Sequence, residues 1–72
     1  NIQGVYAKAL EYFSKSLKIN EELGNKTDQA NTLNNIGIIY KNQGKQAKAI
    51  DYYSSSLKIR EEIGDKKGIA TS

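Results

Sequence analysis

The side chains that most often do chemistry are missing from this sequence. It has no histidine and no cysteine, so the commonest acid–base, nucleophilic and metal-ligating groups are absent. Carboxylates occur as two adjacent pairs, Glu21-Glu22 and Glu61-Glu62. Neighbours on a helix point about 100° apart, so neither pair can share one proton as a dyad. Gly24-Asn25-Lys26-Thr27 faintly resembles the end of a phosphate-binding loop. Ile19 stands where that motif needs its first glycine, and no strand precedes it. Asn25-Lys26-Thr27 is formally a glycosylation sequon, which carries little weight in a chain without cysteine. These observations point away from an enzyme and from any cofactor or metal.

What remains is hydrogen-bonding chemistry. Asn31, Asn34, Asn35 and Asn42 crowd one short stretch, with Ile38 and Lys41 among them. An asparagine side chain offers two donors and an acceptor that takes two bonds. It can hold both an N–H and a C=O of an extended peptide without demanding a particular side chain. Lys41 can attract a carboxylate. The bland alternative is that these are solvated helix-surface residues.

Three helices must carry these groups. Apolar residues at steps of three and four, Tyr6, Ala9, Leu10, Phe13 and Leu17, predict a helix over about residues 5–23. Tyr12, Ile19 and Leu23 widen its stripe towards a second neighbour. Gly24 follows as a C-terminal stop, and Thr27 or Asp28 is placed to cap what comes next. The second helix spans about 28–42, with Ala30, Leu33, Ile36, Gly37 and Tyr40 on its core side. A glycine in mid-helix costs about 1 kcal/mol against alanine, so Gly37 predicts a close helix–helix crossing. Gly44 ends this helix. The third helix, about 46–63, begins within a few residues, so the two must be antiparallel neighbours. Gly64 is expected to close it, with 65–72 forming a turn and the start of a further helix.

The third helix copies the first. Residues 7–32 read AKALEYFSKSLKINEELGNKTDQANT and residues 47–72 read AKAIDYYSSSLKIREEIGDKKGIATS, with 14 of 26 positions identical. A fixed period is the mark of stacked supersecondary units. Ile2-Gln3-Gly4 likewise matches Asn42-Gln43-Gly44, which would make Gly4 the close of a preceding helix. The sequence opens at Asn1, not Met, and reads as a segment cut through its repeats from a longer chain. Its 72 residues allow one small domain burying only about 60% of its unfolded surface. The net charge is +3, but lysines alternate with glutamates as on a solvated helix face, including Glu11–Lys15 and Lys58–Glu62 pairs. With Arg60 the single arginine, there is no basic cluster for nucleic acid. No apolar run is long enough for a membrane span, and the lack of cysteine favours a cytoplasmic setting.

The combination resembles the tetratricopeptide repeat. Leu33, Gly37 and Tyr40, with Ile36 between, match the large, small and aromatic positions of that family's first helix. Ala49, Tyr53 and Ser56 match the small, aromatic and small positions of its second, as do Ala9, Phe13 and Ser16. Gly44 and Gly4 match the glycine between helices. Leu33 replaces the usual tryptophan, and Glu21 and Glu61 stand where a proline normally falls. The usual period is about 34 residues, whereas the copies here lie 40 apart. That spacing, with Asn34-Asn35-Ile36-Gly37, is similar to the long-period variety of kinesin light chains, Leu-Gly-Asn repeat proteins and bacterial Rap-type regulators.

The resemblance implies an all-α solenoid segment in the order second helix, first helix, second helix. It also implies a protein–protein interaction module that binds a peptide or partner helix on its concave face, with Asn35 the foremost contact and Asn34, Asn31, Ile38, Lys41 and Asn42 around it. Fewer than two complete repeats leave apolar end faces uncovered. Self-association, head-to-tail or by helix exchange, is the alternative expectation.

Overall fold

The computed structural model describes the backbone of residues 2–71 and the side chains of residues 2–64. Three helices follow one another: α1 Ile2–Leu23, α2 Lys26–Asn42 and α3 Gln46–Thr71. There are no strands among the described residues. The helices form one layer, 50 × 24 × 12 Å along its principal axes. α2 lies in the middle and packs on both others. In a single layer only the central helix is covered from two sides, so it must supply most of the core. Ala30, Thr32, Leu33, Ile36, Gly37 and Ile39 of α2 are buried, α3 adds Ala49 and Ser56, and α1 buries none fully.

Two short connections set the antiparallel course, and they share one design. Gly24 and Gly44 have φ of +70° and +79°, the only positive values among the described residues. After α1 the N–H of Gly24 donates to the Glu21 carbonyl at 3.2 Å, and that of Asn25 to the Asn20 carbonyl at 2.9 Å. After α2 the N–H of Gly44 donates to Lys41 at 3.0 Å, and that of Lys45 to Tyr40 at 2.8 Å. Both sets use up carbonyls that a helix C-terminus leaves unpaired. The residue after each glycine also starts the next helix, its carbonyl accepting from Gln29 or Ala49 at 3.0 Å. Asn25, not Thr27 or Asp28, caps α2. Its Oδ1 accepts the Asp28 N–H at 3.2 Å, and its Nδ2 donates to Asp28 Oδ2 at 2.6 Å. The Asn25 N–H is already spent on α1, so Asp28 holds the capping side chain instead of the capping backbone.

The outer two glycines behave differently from expectation. Gly4 lies inside α1, which begins at Ile2, not near Val5. Gly64 does not end α3, which continues through Thr71 in place of the expected turn and new helix at 65–72. Neither glycine has a positive φ, and a Cβ at either would meet nothing within 4 Å. Glycine adopts right- and left-handed backbone almost equally well. It stops a helix only where the following residue makes the closing bonds, and those bonds are seen after Gly24 and Gly44. The expectations for the side chains of 65–72, and for Asn1, fall outside the described residues.

Candidate functional site

The α2–α3 seam is built on small residues. Ser56 Oγ donates to the Ala30 carbonyl at 2.8 Å in a buried contact. Seven residues along each helix, Gly37 faces Ala49 and Tyr53. A Cβ on Gly37 would lie 2.8 and 2.9 Å from two Tyr53 ring carbons and 3.3 Å from the Ala49 carbonyl oxygen. Small residues in antiparallel register, Ala30 opposite Ser56 and Gly37 opposite Ala49, let the backbones approach. Leu33 and Ile36 are buried beside them, and Tyr40 is half-buried, stacked on Tyr52 with ring centroids 5.4 Å apart. On the α1 side Asn20 Nδ2 donates to Thr32 Oγ1 at 3.3 Å, and Thr32 Oγ1 donates to the Asp28 carbonyl at 2.8 Å. Lys26 and Glu62 tie α2 to α3 at 3.0 Å, but both are about half exposed, so the pair contributes little.

One side of the seam carries a continuous furrow. Its first hollow is lined by Lys41, Gln46, Ala49, Ile50 and Tyr53. The second is lined by Asn34, Tyr53, Ser56, Leu57 and Arg60. The third is lined by Thr27, Ala30, Asn31, Arg60, Ile63 and Gly64. Tyr53 is common to the first and second, and Arg60 to the second and third. Asn31, Asn34 and Lys41 of the expected site are thus brought together as the α2 wall. Asn31, Asn35, Ile38 and Asn42 are exposed. Spaced by four, three and four residues, they form one stripe on the open face of α2. Asn35 stands on this rim and lines none of the three hollows.

The α3 wall had no counterpart in the sequence expectation. Ile50 and Leu57 are 61% and 57% exposed, and Arg60 Nη2 donates to Asn31 Oδ1 at 3.2 Å. Arg60 occupies the place of Asn20 in the first copy, and that charge difference between copies was the available signal. The opposite side of the seam holds a separate hollow lined by Tyr40, Lys48, Asp51, Tyr52 and Ser55. Lys45 and Lys48 there lie over the Tyr40 ring at 5.9 and 5.4 Å.

The duplicated helices show what α2 covers. Tyr12, Ile19 and Leu23 of α1 are 66%, 54% and 75% exposed, while their twins Tyr52, Ile59 and Ile63 are half-buried against α2. The reverse holds on the other face. Leu10 and Leu17 are half-buried, while their twins Ile50 and Leu57 are exposed. Ala9 and Ser16, twins of the buried Ala49 and Ser56, are accordingly only half-buried, while Phe13 and its twin Tyr53 are both half-buried. No helix among the described residues is long and apolar enough to cross a membrane.

Among known families, the model of the tetratricopeptide repeat matches residues 1–62. No curated protein and no solved structure matches the chain.

Proposed function

The chain belongs to the tetratricopeptide repeat family, whose members are generally protein–protein interaction modules, and from that premise we propose that it binds an extended peptide in the α2–α3 furrow. The observation that carries this reading is the furrow itself. The half-buried Asn34 of α2 lines one hollow with the uncovered Leu57 of α3, Lys41 lines another with the uncovered Ile50, and the exposed Asn31 lines the third. The amides supply backbone hydrogen bonds and the α3 wall supplies apolar contact, which is the division of labour a peptide groove needs. Asn34 brings this chemistry into the furrow, and Asn31, Asn35 and Asn42 extend it along the rim, where Ile38 adds apolar contact. Repeats of this family are typically scaffolds and not enzymes. Titration of immobilised peptide arrays with the chain, with Asn34→Ala and Asn35→Ala as controls, tests the reading. Binding should weaken in both, and more for Asn34→Ala. Equal binding by all three proteins would remove the amides from the site.

A second reading rests on the twin positions. The exposed face of Tyr12, Ile19 and Leu23 and that of Ile50 and Leu57 are both surfaces that this sequence buries elsewhere in itself. A second copy, meeting them head-to-tail or by exchange of helices, would cover apolar area at both ends. Sedimentation over a hundredfold concentration range separates the readings. A monomer throughout removes self-association, whereas growing assemblies would make it the first explanation of the end faces.

A further inference from the structure

We infer that the uncovered face of α1 docks a helix of a partner protein, one that carries a glycine three residues before an aromatic. This surface lies apart from the furrow and does not rest on the peptide reading. The chain holds its own template for the complex. Ala9, Tyr12, Ser16, Ile19 and Glu22 of α1 recur unchanged in α3 as Ala49, Tyr52, Ser56, Ile59 and Glu62. Phe13 and Leu23 recur as Tyr53 and Ile63. In α3 this face is covered by α2, whereas in α1 Tyr12, Ile19 and Leu23 stand exposed. What covers the one copy therefore states what fits the other.

Four contacts of α2 with α3 define the occupant. Lys26 pairs with Glu62 at 3.0 Å. The Ala30 carbonyl accepts from Ser56 Oγ at 2.8 Å. Gly37 lies against the Tyr53 ring, so closely that a Cβ would come within 2.8 Å of it. Tyr40 stacks on Tyr52 with centroids 5.4 Å apart, and Lys48 Nζ lies 5.4 Å from the Tyr40 centroid. Each α3 group has its twin on α1, in Glu22, Ser16, Phe13, Tyr12 and Lys8. Glu22 makes no ion pair among the described residues. The fitting helix runs antiparallel to α1. It carries a cation, then a small residue four positions on, a glycine seven beyond that and an aromatic three further, as Lys26, Ala30, Gly37 and Tyr40 do in α2. A second copy of the chain does not present this pattern. Its Ala30 and Gly37 are buried in its own seam, and the free face of its α3 offers Ile50 and Leu57. Large side chains cannot approach where a single Cβ already crowds the ring, so a second copy would rest on α1 less closely than a separate helix.

A synthetic peptide with the sequence of residues 25–42 is the probe, since it carries all four features. Alone it is only partly helical, because isolated helices of that length are marginal. Added to the isotope-labelled full chain, it should shift the amides of Tyr12, Ser16, Ile19 and Leu23 and gain helix by circular dichroism. Leucine in place of the peptide's glycine should weaken binding by about tenfold or more. Leucine favours helix over glycine, so that loss cannot come from lower helicity. Ile19→Lys and Leu23→Lys in the chain should weaken it by about as much, with the melt of the chain unchanged because both residues are exposed. Equal binding of the leucine peptide would overturn the template. No shifts at millimolar peptide, or shifts confined to Ile50 and Leu57, would overturn the assignment to α1. Self-association of the chain that Leu23→Lys abolishes would make a second copy the occupant and refute the partner helix. None of these outcomes touches the furrow.

Discussion

Replacing Gly37 by alanine sets two effects of known sign against each other. Alanine is favoured over glycine in a helix interior by about 1 kcal/mol, so at an open site Gly37→Ala would stabilise the protein. At this site the new Cβ would stand 2.8 and 2.9 Å from ring carbons of Tyr53 and 3.3 Å from the carbonyl oxygen of Ala49. Carbon atoms prefer about 3.5–4.0 Å, so the deficit against the ring is roughly 0.6–1.2 Å. A phenol ring cannot bend away at its tip. Either Tyr53 leaves its position over the furrow or α3 withdraws from α2, breaking the neighbouring contact of Ser56 with Ala30. Overpacking of this kind costs about 1–3 kcal/mol. The net expectation is a loss of about 0–2 kcal/mol. The sharper quantity is the coupling. In a Tyr53→Ala background the ring is gone and Gly37→Ala should stabilise, leaving an interaction free energy of at least about 1 kcal/mol. Urea melts of the four proteins, followed by far-UV circular dichroism, measure it. Zero coupling, or stabilisation of the wild-type background by the full alanine gain, would refute the close crossing.

The other glycines divide by conformation. Gly24→Ala and Gly44→Ala should each cost about 1–2 kcal/mol because they force alanine into the left-handed region. Gly4→Ala and Gly64→Ala should instead gain up to about 1 kcal/mol and raise helicity, and a loss at Gly64 equal to that at Gly24 would mean that α3 turns there. Asn25→Ala removes the α2 cap and should cost about 1 kcal/mol, and Asn25→Asp should restore it only in part, because its carboxylate keeps the Asp28 N–H but faces the Asp28 carboxylate where Asn25 Nδ2 donates. Ser56→Ala should cost about 1 kcal/mol, since the Ala30 carbonyl retains its place in the α2 helical bonding; Ser56→Leu should cost more because nothing larger fits the seam.

Much of this architecture can be read directly from residue types. A glycine at mid-helix, Gly37, announces a close crossing, and the spacing of Ala49, Tyr53 and Ser56 names the helix that makes it. Gly24 is legible because it directly follows Leu23, the last apolar residue of a periodic run, and Gly44 because it comes four residues after Tyr40, with a new apolar run starting at Ala47. Gly4 and Gly64 occupy equivalent places in the repeat, yet they continue helices. Local sequence does not encode the difference, which lies in whether the next N–H finds a carbonyl of the preceding turn. The α2 cap is hidden for a related reason. Asn25 ends one helix and starts the next, and a sequence reading that assigns each residue to a single element moves the cap to Thr27 or Asp28. The asparagines of α2 were visible as a polar face. Arg60, Ile50 and Leu57 were not, because their role depends on how α3 lies beside α2. Periodicity within one helix cannot fix the register between two. The twin residues Tyr12 and Tyr52 make the same point, since one side chain type at one repeat position is exposed in α1 and half-buried in α3.

The furrow as a peptide site is tested most directly by mapping amide chemical-shift changes when the tightest-binding peptide of the array is added. A contiguous set on one side of the seam should shift, covering Asn31, Asn34, Ile38 and Lys41 of α2 and Ile50, Leu57 and Arg60 of α3. Tyr40, Lys48 and Tyr52, on the far side, should remain still. Shifts centred on those three residues, or on the exposed Tyr12–Ile19–Leu23 face of α1, would contradict it.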